Sequence, residues 1–241
     1  IAPCFRDEDA RADRSPGEFY QLDLEMSFVE QEDIFQVLEK LLNNVFRKFS
    51  SKKILSEKFP RIPFSESIKK YGTDKPDLRN PLTIQDITSI FEREDVNFDI
   101  FKKLVKKGAK VKTIVTSNTK DKPRSFFDNI DKWAKEQGAS GLAYFTIERD
   151  NAVTGKGPVG KFFSEKSLLE IMKICNAKIG DSLFLACGDE NEINKILSTA
   201  REKLADDLNL IDKNKFAFCW IVDYPMFEKD QKTNKIIFSH N

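Results

Sequence analysis

The feature that most constrains the fold is a strict alternation of apolar and largely polar side chains through residues 18–28. The apolar positions are Tyr20, Leu22, Leu24, Met26 and Phe28. A period of two residues is typical of a β-strand with one apolar and one polar face. Residues 1–8 are also strand-like, and the polar, turn-rich residues 9–17 separate the two segments. The pattern therefore predicts an antiparallel hairpin.

The remaining periodicity indicates a two-part organisation with an α+β fold. Residues 31–49 and 83–93 are helix-like, and a short helix is predicted after Pro60. From about residue 98, strand-like and helix-like segments alternate, which predicts a separate α/β or α+β unit. Its predicted strands are 111–116, 142–147 and 182–187, and its predicted helices are 123–136, 164–176 and 190–204.

This change in the pattern of predicted elements divides the chain into three segments. We predict a first part over 1–97, an inserted unit over 98–213 and a return segment over 214–241, with strands at 216–222 and 235–239. The outer two segments are predicted to contribute strands to one sheet. Because the chain opens on Ile1 and closes on Asn241 without a terminating signal, we interpret it as an internal piece of a longer protein.

Composition excludes several classes of protein. The 40 Lys and Arg nearly balance the 39 Asp and Glu, and this small net charge argues against a protein whose main role is to bind a polyanion such as nucleic acid. The longest apolar run, Phe216–Val222, is too short to span a bilayer, and the start of the chain shows no secretory signal. Four widely spaced cysteines and one histidine make zinc or disulfide frameworks a poor interpretation, so we predict reduced thiols in a cytoplasmic protein.

The polar face of the predicted hairpin has the residue types of a ligand site. Arg6 and Glu8 share one side of the first strand, and Phe19, Gln21 and Asp23 share one side of the second. Arginine forks toward oxyanions, carboxylates accept from amines, and a phenyl ring can stack on a flat base. The alternative is a solvated face with cross-strand ion pairs. Phe19 argues against that alternative, since a solvated face has no use for an aromatic ring.

Four stretches in this order resemble class II aminoacyl-tRNA synthetases, and within that class the bacterial-type aspartyl-tRNA synthetases. The first stretch, residues 4–14 followed by 18–28, resembles motif 2, and the other three are Tyr71–Arg79, Trp220–Glu228 and Phe238–Asn241. Between the second and the third, residues 98–213 resemble the insertion (GAD-type) domain of the bacterial enzymes. The resemblance implies part of the class II antiparallel sheet with flanking helices, plus an α/β insertion domain.

The resemblance also implies roles for individual residues. Arg6 corresponds to the arginine that holds the substrate carboxylate and the α-phosphate, and it is the implied catalytic residue. An aspartate-binding role is implied for Arg6, Gln21, Asp23 and His240. An ATP-binding role is implied for Arg6, Asp7, Glu8, Arg14, Ser15 and Phe19, where Glu8 accepts from the adenine amino group and Phe19 stacks on the ring. The motif 2 loop has one residue more than usual here, so Ser15 corresponds less well than the other residues to an ATP-contacting position of the family.

The implied activity is the ATP-dependent ligation of L-aspartate to tRNA through an aspartyl adenylate. ATP is then a substrate, Mg²⁺ is expected with ligands outside this chain, and the intact protein is expected to be a cytoplasmic homodimer. The tRNA partner is tRNA-Asp, and charging of tRNA-Asn stays open because the anticodon-binding domain, like motifs 1 and 3, is missing. This span alone is expected to be inactive. The alternatives are a non-catalytic tRNA- or protein-binding module, and a class II enzyme for lysine or asparagine.

Two other segments carry weaker signals. Residues 154–160 contain three glycines but do not fit the phosphate-binding pattern G-x-x-x-x-G-K-[ST], so we predict a plain loop. The lysine-rich residues 102–112 are interpreted as a solvated face, with weak RNA contact as the alternative.

Overall fold

A computed structural model of the protein describes residues 1–6, 17–230 and 233–238. The chain divides into two compact units, Ile1–Ser50 and Ser51–Asn241. Within the described part of the chain, no helix combines the length and the apolar composition that crossing a bilayer requires.

The first unit contains the predicted hairpin and the predicted helix. Strand β1 (Ala2–Phe5) pairs antiparallel with β2 (Glu18–Gln21), and α1 spans Gln31–Phe49. The second strand is shorter than the predicted 18–28. The reason is its partner: Gln21 already pairs with Ala2, so β1 offers almost nothing for residues 22–28 to pair with.

Both ends of α1 are stabilised locally. Glu30 and Asp33 form a capping box, in which the Glu30 backbone N–H donates to Asp33 Oδ2 at 2.9 Å. Acidic residues in the first turn and Arg47 and Lys48 in the last turn complement the helix dipole. One stripe of the helix is nevertheless exposed and apolar; it comprises Val37, Leu41, Val45 and Phe49.

A five-stranded antiparallel sheet dominates the second unit. Its strand order is β5-β6-β9-β7-β8. The strands span Ile84–Asp86 (β5), Lys110–Thr116 (β6), Ala143–Arg149 (β7), Val153–Lys156 (β8) and Ser182–Gly188 (β9). The α-helices span Phe64–Tyr71 (α2), Asp99–Val105 (α3), Arg124–Glu136 (α4), Glu165–Cys175 (α5) and Glu190–Asp207 (α6). Two short 3-10 helices span Thr88–Glu92 and Gly160–Phe162.

Side chains cover both faces of this sheet. On one face, α4 and α6 bury a cluster that includes Ile114, Phe184 and Leu197. On the other face, the first 3-10 helix, α3 and α5 cover a cluster that includes Phe145 and Leu183. Burial on both faces explains why β9 reads as a continuous apolar run.

The connection β6-α4-β7 leaves a gap between its two strands that β9 fills. Strand β9 pairs antiparallel with β6 on one side and with β7 on the other. The pairings with the edge strands β5 and β8 are antiparallel as well. The predicted strands and helices of this region are confirmed, but the pairing corresponds to α+β and not to the parallel sheet that α/β alternation suggests. The sheet also includes β5, which precedes residue 98; the domain boundaries at 97 and 213 stay predictions.

Short strands lie on either side of the five-stranded sheet in sequence. They are Lys53–Ile54 (β3), Arg61–Pro63 (β4), Lys215–Phe216 (β10), Trp220–Val222 (β11), Phe227–Lys229 (β12) and Ile236–Phe238 (β13). Strands β10 and β11 pair parallel with β3 and β4, and β12 pairs antiparallel with β13. Among the described residues these are separate two-stranded pairs, not the single antiparallel sheet that was predicted. The run 216–222 divides into β10 and β11 because its two ends have different partners.

Two local predictions are wrong. Residues 83–93 are not one helix: β5 pairs with β6, and a 3-10 helix follows once Asp86 Oδ1 accepts from the Thr88 N–H at 2.8 Å. The glycine-rich residues 154–160 are not a plain loop, since β8 pairs with β7 there. A Cβ on Gly155 would lie 2.9 Å from the Cα and O of Gly160, so the glycines allow two backbone segments to touch.

The lysine-rich segment is only partly solvated. Lys112 is buried, and its Nζ donates to Glu190 Oε1 at 2.7 Å and to Asn194 Oδ1 at 2.9 Å. Lys102 Nζ donates to the carbonyls of Arg93 and Val96 at 2.7 and 3.0 Å. The solvated-face interpretation is therefore wrong for these two lysines, which satisfy polar groups inside the fold.

Candidate functional site

The register of the β1-β2 hairpin brings the predicted polar face together. Cys4 lies opposite Phe19, and Ala2 lies opposite Gln21. Cys4, Phe19 and Gln21 are half-buried, whereas Phe5 and Tyr20 on the other face are 73% and 77% exposed. The face with Phe19 is thus the more sheltered side of the hairpin.

Arg6 closes the hairpin at the base of its connection. Its backbone N–H donates to the Gly17 carbonyl at 2.8 Å. Its guanidinium carbon lies 5.4 Å from the centroid of the Phe19 ring, within the range of a cation–π contact. The ring therefore restrains the arginine while the side chain stays exposed to solvent and to ligands.

Gln21 is held from two sides. The Cys4 thiol donates to Gln21 Oε1 at 3.3 Å, and Gln21 Nε2 donates to Asp23 Oδ1 at 2.5 Å. These contacts fix the orientation of the amide and connect it to an exposed carboxylate. Sequence analysis missed Cys4, although its alternation with Arg6 on the same strand would have placed it on this face.

The structure tests the placement of only some predicted site residues. It brings Arg6, Phe19 and Gln21 to one face of the hairpin and links Asp23 to Gln21. The other predicted residues, Asp7, Glu8, Arg14, Ser15 and His240, lie outside the described residues.

The segment Tyr71–Arg79 forms a second polar cluster, in the second unit. Arg79 Nη2 and Asp77 Oδ2 lie 2.6 Å apart, and this hydrogen bond lowers the pKa of the Asp77 carboxyl. Near the start of the segment, the Tyr224 hydroxyl donates to Asp74 Oδ2 at 3.3 Å. The segment is thus tied to the residues that follow β11.

The side chain of Arg201, on α6, binds backbone carbonyls at the end of this segment and just after it. The side chain is buried; Nε donates to the Leu82 carbonyl at 2.5 Å, and Nη2 donates to the carbonyls of Asp77 and Asn80 at 2.7 and 3.0 Å. Burial lowers the pKa of the guanidinium. Sequence analysis missed Arg201, though its spacing from Leu197 and Leu204 on the apolar stripe of α6 was an available signal.

The described residues hold no evident metal centre. No group of three or more His, Cys, Asp or Glu side chains is arranged among them to hold a metal ion. The four cysteines are free thiols, and burial raises the pKa of Cys175 to about 12 and that of Cys187 to about 11.

Comparison with known proteins decides the family. Residues 1–240 match the family described as tRNA synthetases class II (D, K and N). The chain belongs to this family. The match covers both compact units, including the five-stranded sheet.

Curated relatives narrow the similarity within the family. The chain is 74% identical over its full length to the Aspartate--tRNA(Asp/Asn) ligase of Pelagibacter ubique (strain HTCC1062), of which it covers 41%. It is 54% identical to the enzyme of that name from Wolbachia sp. subsp. Drosophila simulans (strain wRi), and 50% identical to that from Methylorubrum populi, covering 40% of each. The chain therefore spans about two fifths of the length of these class II relatives.

Proposed function

We propose that this chain is part of an aspartate–tRNA ligase that charges tRNA in two steps. In the first step, a carboxylate oxygen of L-aspartate attacks the α-phosphorus of ATP, and pyrophosphate leaves. In the second step, a terminal ribose hydroxyl of tRNA attacks the activated carbonyl carbon and loses its proton, and AMP leaves. The observation that supports this proposal most directly is the face of the hairpin that presents Arg6, Phe19 and Gln21 together, in a chain of this family.

Each group on this face has a task in the proposed first step. No proton needs to move in the adenylation, so positioning and charge neutralisation carry the catalysis. Arg6 can bridge the aspartate carboxylate and the α-phosphate, because a guanidinium offers a fork of donors to two oxyanions. Phe19, which already stacks against Arg6, offers its other face to adenine.

The aspartate end of the site rests on Gln21 and Asp23. Asp23 is the carboxylate that would accept from the substrate ammonium, and its hydrogen bond from Gln21 places the two groups side by side. We assign His240 to this end as well. Asp7, Glu8, Arg14 and Ser15 complete the ATP side of the proposal.

The partners belong to the proposal too. They are L-aspartate, ATP and tRNA-Asp, with tRNA-Asn added because the relatives' names specify both tRNAs. Mg²⁺ bound by residues outside this chain would neutralise phosphate charge. We place the intact protein in the cytoplasm as a homodimer.

Replacement of Arg6 tests the proposal. In the full-length enzyme, Arg6→Ala should lower the rate of ATP–pyrophosphate exchange by about 10²–10³, the scale for losing one preorganised donor to developing charge. Arg6→Lys should not restore the rate, because a point charge cannot bridge two oxyanions. Exchange near the wild-type rate in Arg6→Ala would contradict the assignment and favour a non-catalytic binding module.

Replacement of Asp23 separates the two substrates. Asp23→Asn keeps the acceptor for Gln21 but removes the charge that would pair with the substrate ammonium. The KM for aspartate should therefore rise by at least about tenfold, the scale of a charge-assisted hydrogen bond, while the KM for ATP changes little. Equal increases in both KM values would show that Asp23 only supports the hairpin.

A further inference from the structure

The second unit contains a cleft whose lining includes none of the residues assigned to adenylation. It is walled by α2, by the first turns of α6 and by the β12-β13 hairpin, and its volume is about 750 Å³. Small-molecule pockets typically measure about 300–1,000 Å³. The cleft is therefore large enough for a ligand of nucleotide size.

Asn194 presents a fixed hydrogen-bond donor to this cleft. The residue lines the cleft yet is only 4% exposed. Its Oδ1 accepts from Lys112 Nζ at 2.9 Å, and since an ammonium can only donate, the amide cannot flip. Its Nδ2 must therefore point away from Lys112. This nitrogen has no hydrogen-bond partner among the described residues, and it is not sealed inside the protein.

Lys112 is itself immobilised, which strengthens the orientation of the amide. It is 1% exposed, and Glu190 Oε1 accepts a second hydrogen bond from its Nζ at 2.7 Å. If Lys112 turned away from Asn194, this buried cation would lose one of its two acceptors, which is costly. The donor that faces the cleft is thus preorganised by a contact behind it.

Charged and aromatic groups surround this donor. Lys195, next to it on α6, and Lys229, on β12, are exposed, and within the described residues neither forms an ion pair. Glu228 contributes an exposed carboxylate. Phe64 and Pro225 supply apolar surface, and the Phe64 ring is braced by Tyr224 at a centroid distance of 4.9 Å.

We propose that this cleft binds a nucleotide unit, a base together with its phosphate. The Asn194 amide would donate to a carbonyl or ring nitrogen of the base, and Glu228 would accept from an exocyclic amine. Phe64 offers a ring face for stacking, and Lys195 and Lys229 attract the phosphate. A nucleotide carries a flat ring, a hydrogen-bond acceptor and a phosphate in one compact unit, and for this reason we favour it over a peptide as the occupant.

The nucleotide could come from single-stranded RNA or from a free mononucleotide. If the proposed function holds, we expect single-stranded RNA to be the source, because a tRNA ligase must bind the unpaired end of tRNA. The site itself does not depend on that function, since its lining lies outside the proposed adenylation residues. Short oligoadenylate and AMP are therefore the two probes.

The decisive variant is Asn194→Asp in the full-length protein. An aspartate keeps an oxygen for Lys112, but it replaces the donor that faces the cleft with an acceptor. Its affinity for labelled oligoadenylate, measured by fluorescence anisotropy, should fall by about tenfold or more, the scale of one base contact. The matched control is Asn129→Asp on the exposed face of α4, which should bind like the wild type.

A second variant covers the case in which Asn194→Asp fails to fold. Lys195 is exposed, so Lys195→Ala should leave the fold intact and reduce the slope of log affinity against log salt by about 0.7, as expected for one lost phosphate contact. Competition by AMP identifies a mononucleotide site, and its absence identifies an RNA site; both agree with the proposal.

Wild-type affinity and salt dependence in every variant that folds would overturn the proposal. The binding measurement needs no adenylation. Normal pyrophosphate exchange in Arg6→Ala would therefore contradict the proposed function without affecting this result.

Discussion

The β1-β2 hairpin and the five-stranded sheet are both built from paired antiparallel strands, but their apolar side chains are buried to very different extents. In the sheet, Phe145 and Leu183 are fully buried. In the hairpin and the residues that follow it, the alternating apolar side chains stay open to solvent: Tyr20 is 77% exposed, Leu22 is 56% and Phe28 is 108%. Alternation thus specifies which side chains share a face, but burial depends on what covers that face.

The exposed apolar groups of the first unit form two surfaces. One follows β2, and the other is the stripe on α1 that begins at Val37. Exposed apolar surface of this kind is a liability in solution and commonly marks an interaction site. The relatives are more than twice as long as this chain, so further strands of a class II domain are the partners that we propose for these surfaces.

Hydrogen exchange should show the largest difference between the two regions. Opening free energies range from about zero at frayed segments to the global value, roughly 5–15 kcal/mol for a domain. In the 241-residue chain, amides in β7 and β9 should approach the upper limit and those in β1 and β2 the lower one. Equal protection in all four strands would mean that the hairpin is stable by itself.

Removal of one aromatic ring from each region should sharpen the contrast. Phe145→Ala should lower the free energy of unfolding by about 3–5 kcal/mol, because it leaves a cavity in the sheet. The matched control, Phe28→Ala, removes an exposed ring and should change it by no more than about 0.5 kcal/mol. Both effects can be measured by calorimetry. A large loss in Phe28→Ala would show that this ring is covered in solution.

A smaller effect should appear in acid, in the second unit. The hydrogen bond from Arg79 lowers the pKa of Asp77, so the Asp77 carboxylate binds a proton less readily in the folded state than in the unfolded state. The Asp77–Arg79 pair therefore contributes stability above about pH 4, and that stability is lost as the pH falls through the depressed pKa. Because the pair is partly exposed, the contribution should be below about 1 kcal/mol.

Asp77→Asn tests this contribution. The variant should be slightly less stable than the wild type at pH 6 in urea titrations, and the difference should shrink as the pH falls below about 4. Asp121→Asn, the same change at an exposed position, is the matched control. A difference that persists in acid would assign the effect to packing and not to the charge of Asp77.

The sequence predicted the elements with a strong local signal. The hairpin, α1 and the alternating elements from β6 to α6 have the expected type, because their periodicity extends over several turns or pairs. The β-strand at Val153–Lys156 was missed, since glycines usually indicate a loop and only the contact between Gly155 and Gly160 explains them. Strand order was equally inaccessible, because β9 enters between β6 and β7 only through tertiary packing.

The sequence likewise predicted one part of the candidate site and missed another. Alternation placed Arg6, Phe19 and Gln21 on one face, and the observed register agrees. The buried cations Lys112 and Arg201 were not foreseen, since an isolated lysine or arginine normally indicates a solvated position. Their partners are distant in sequence: Arg201 reaches the Leu82 carbonyl, and Lys112 reaches Asn194.

The parallel pairing of β4 with β11 has a consequence for biosynthesis. Trp220 pairs with Arg61, about 160 residues earlier in the chain, and the entire five-stranded sheet lies between them. At a synthesis rate of about 5–20 residues per second, β4 waits roughly 8–30 s for its partner. All five strands of the intervening sheet are synthesised before β11. Folding of this sheet would bring the two ends of the intervening segment together and so reduce the entropic cost of pairing β4 with β11.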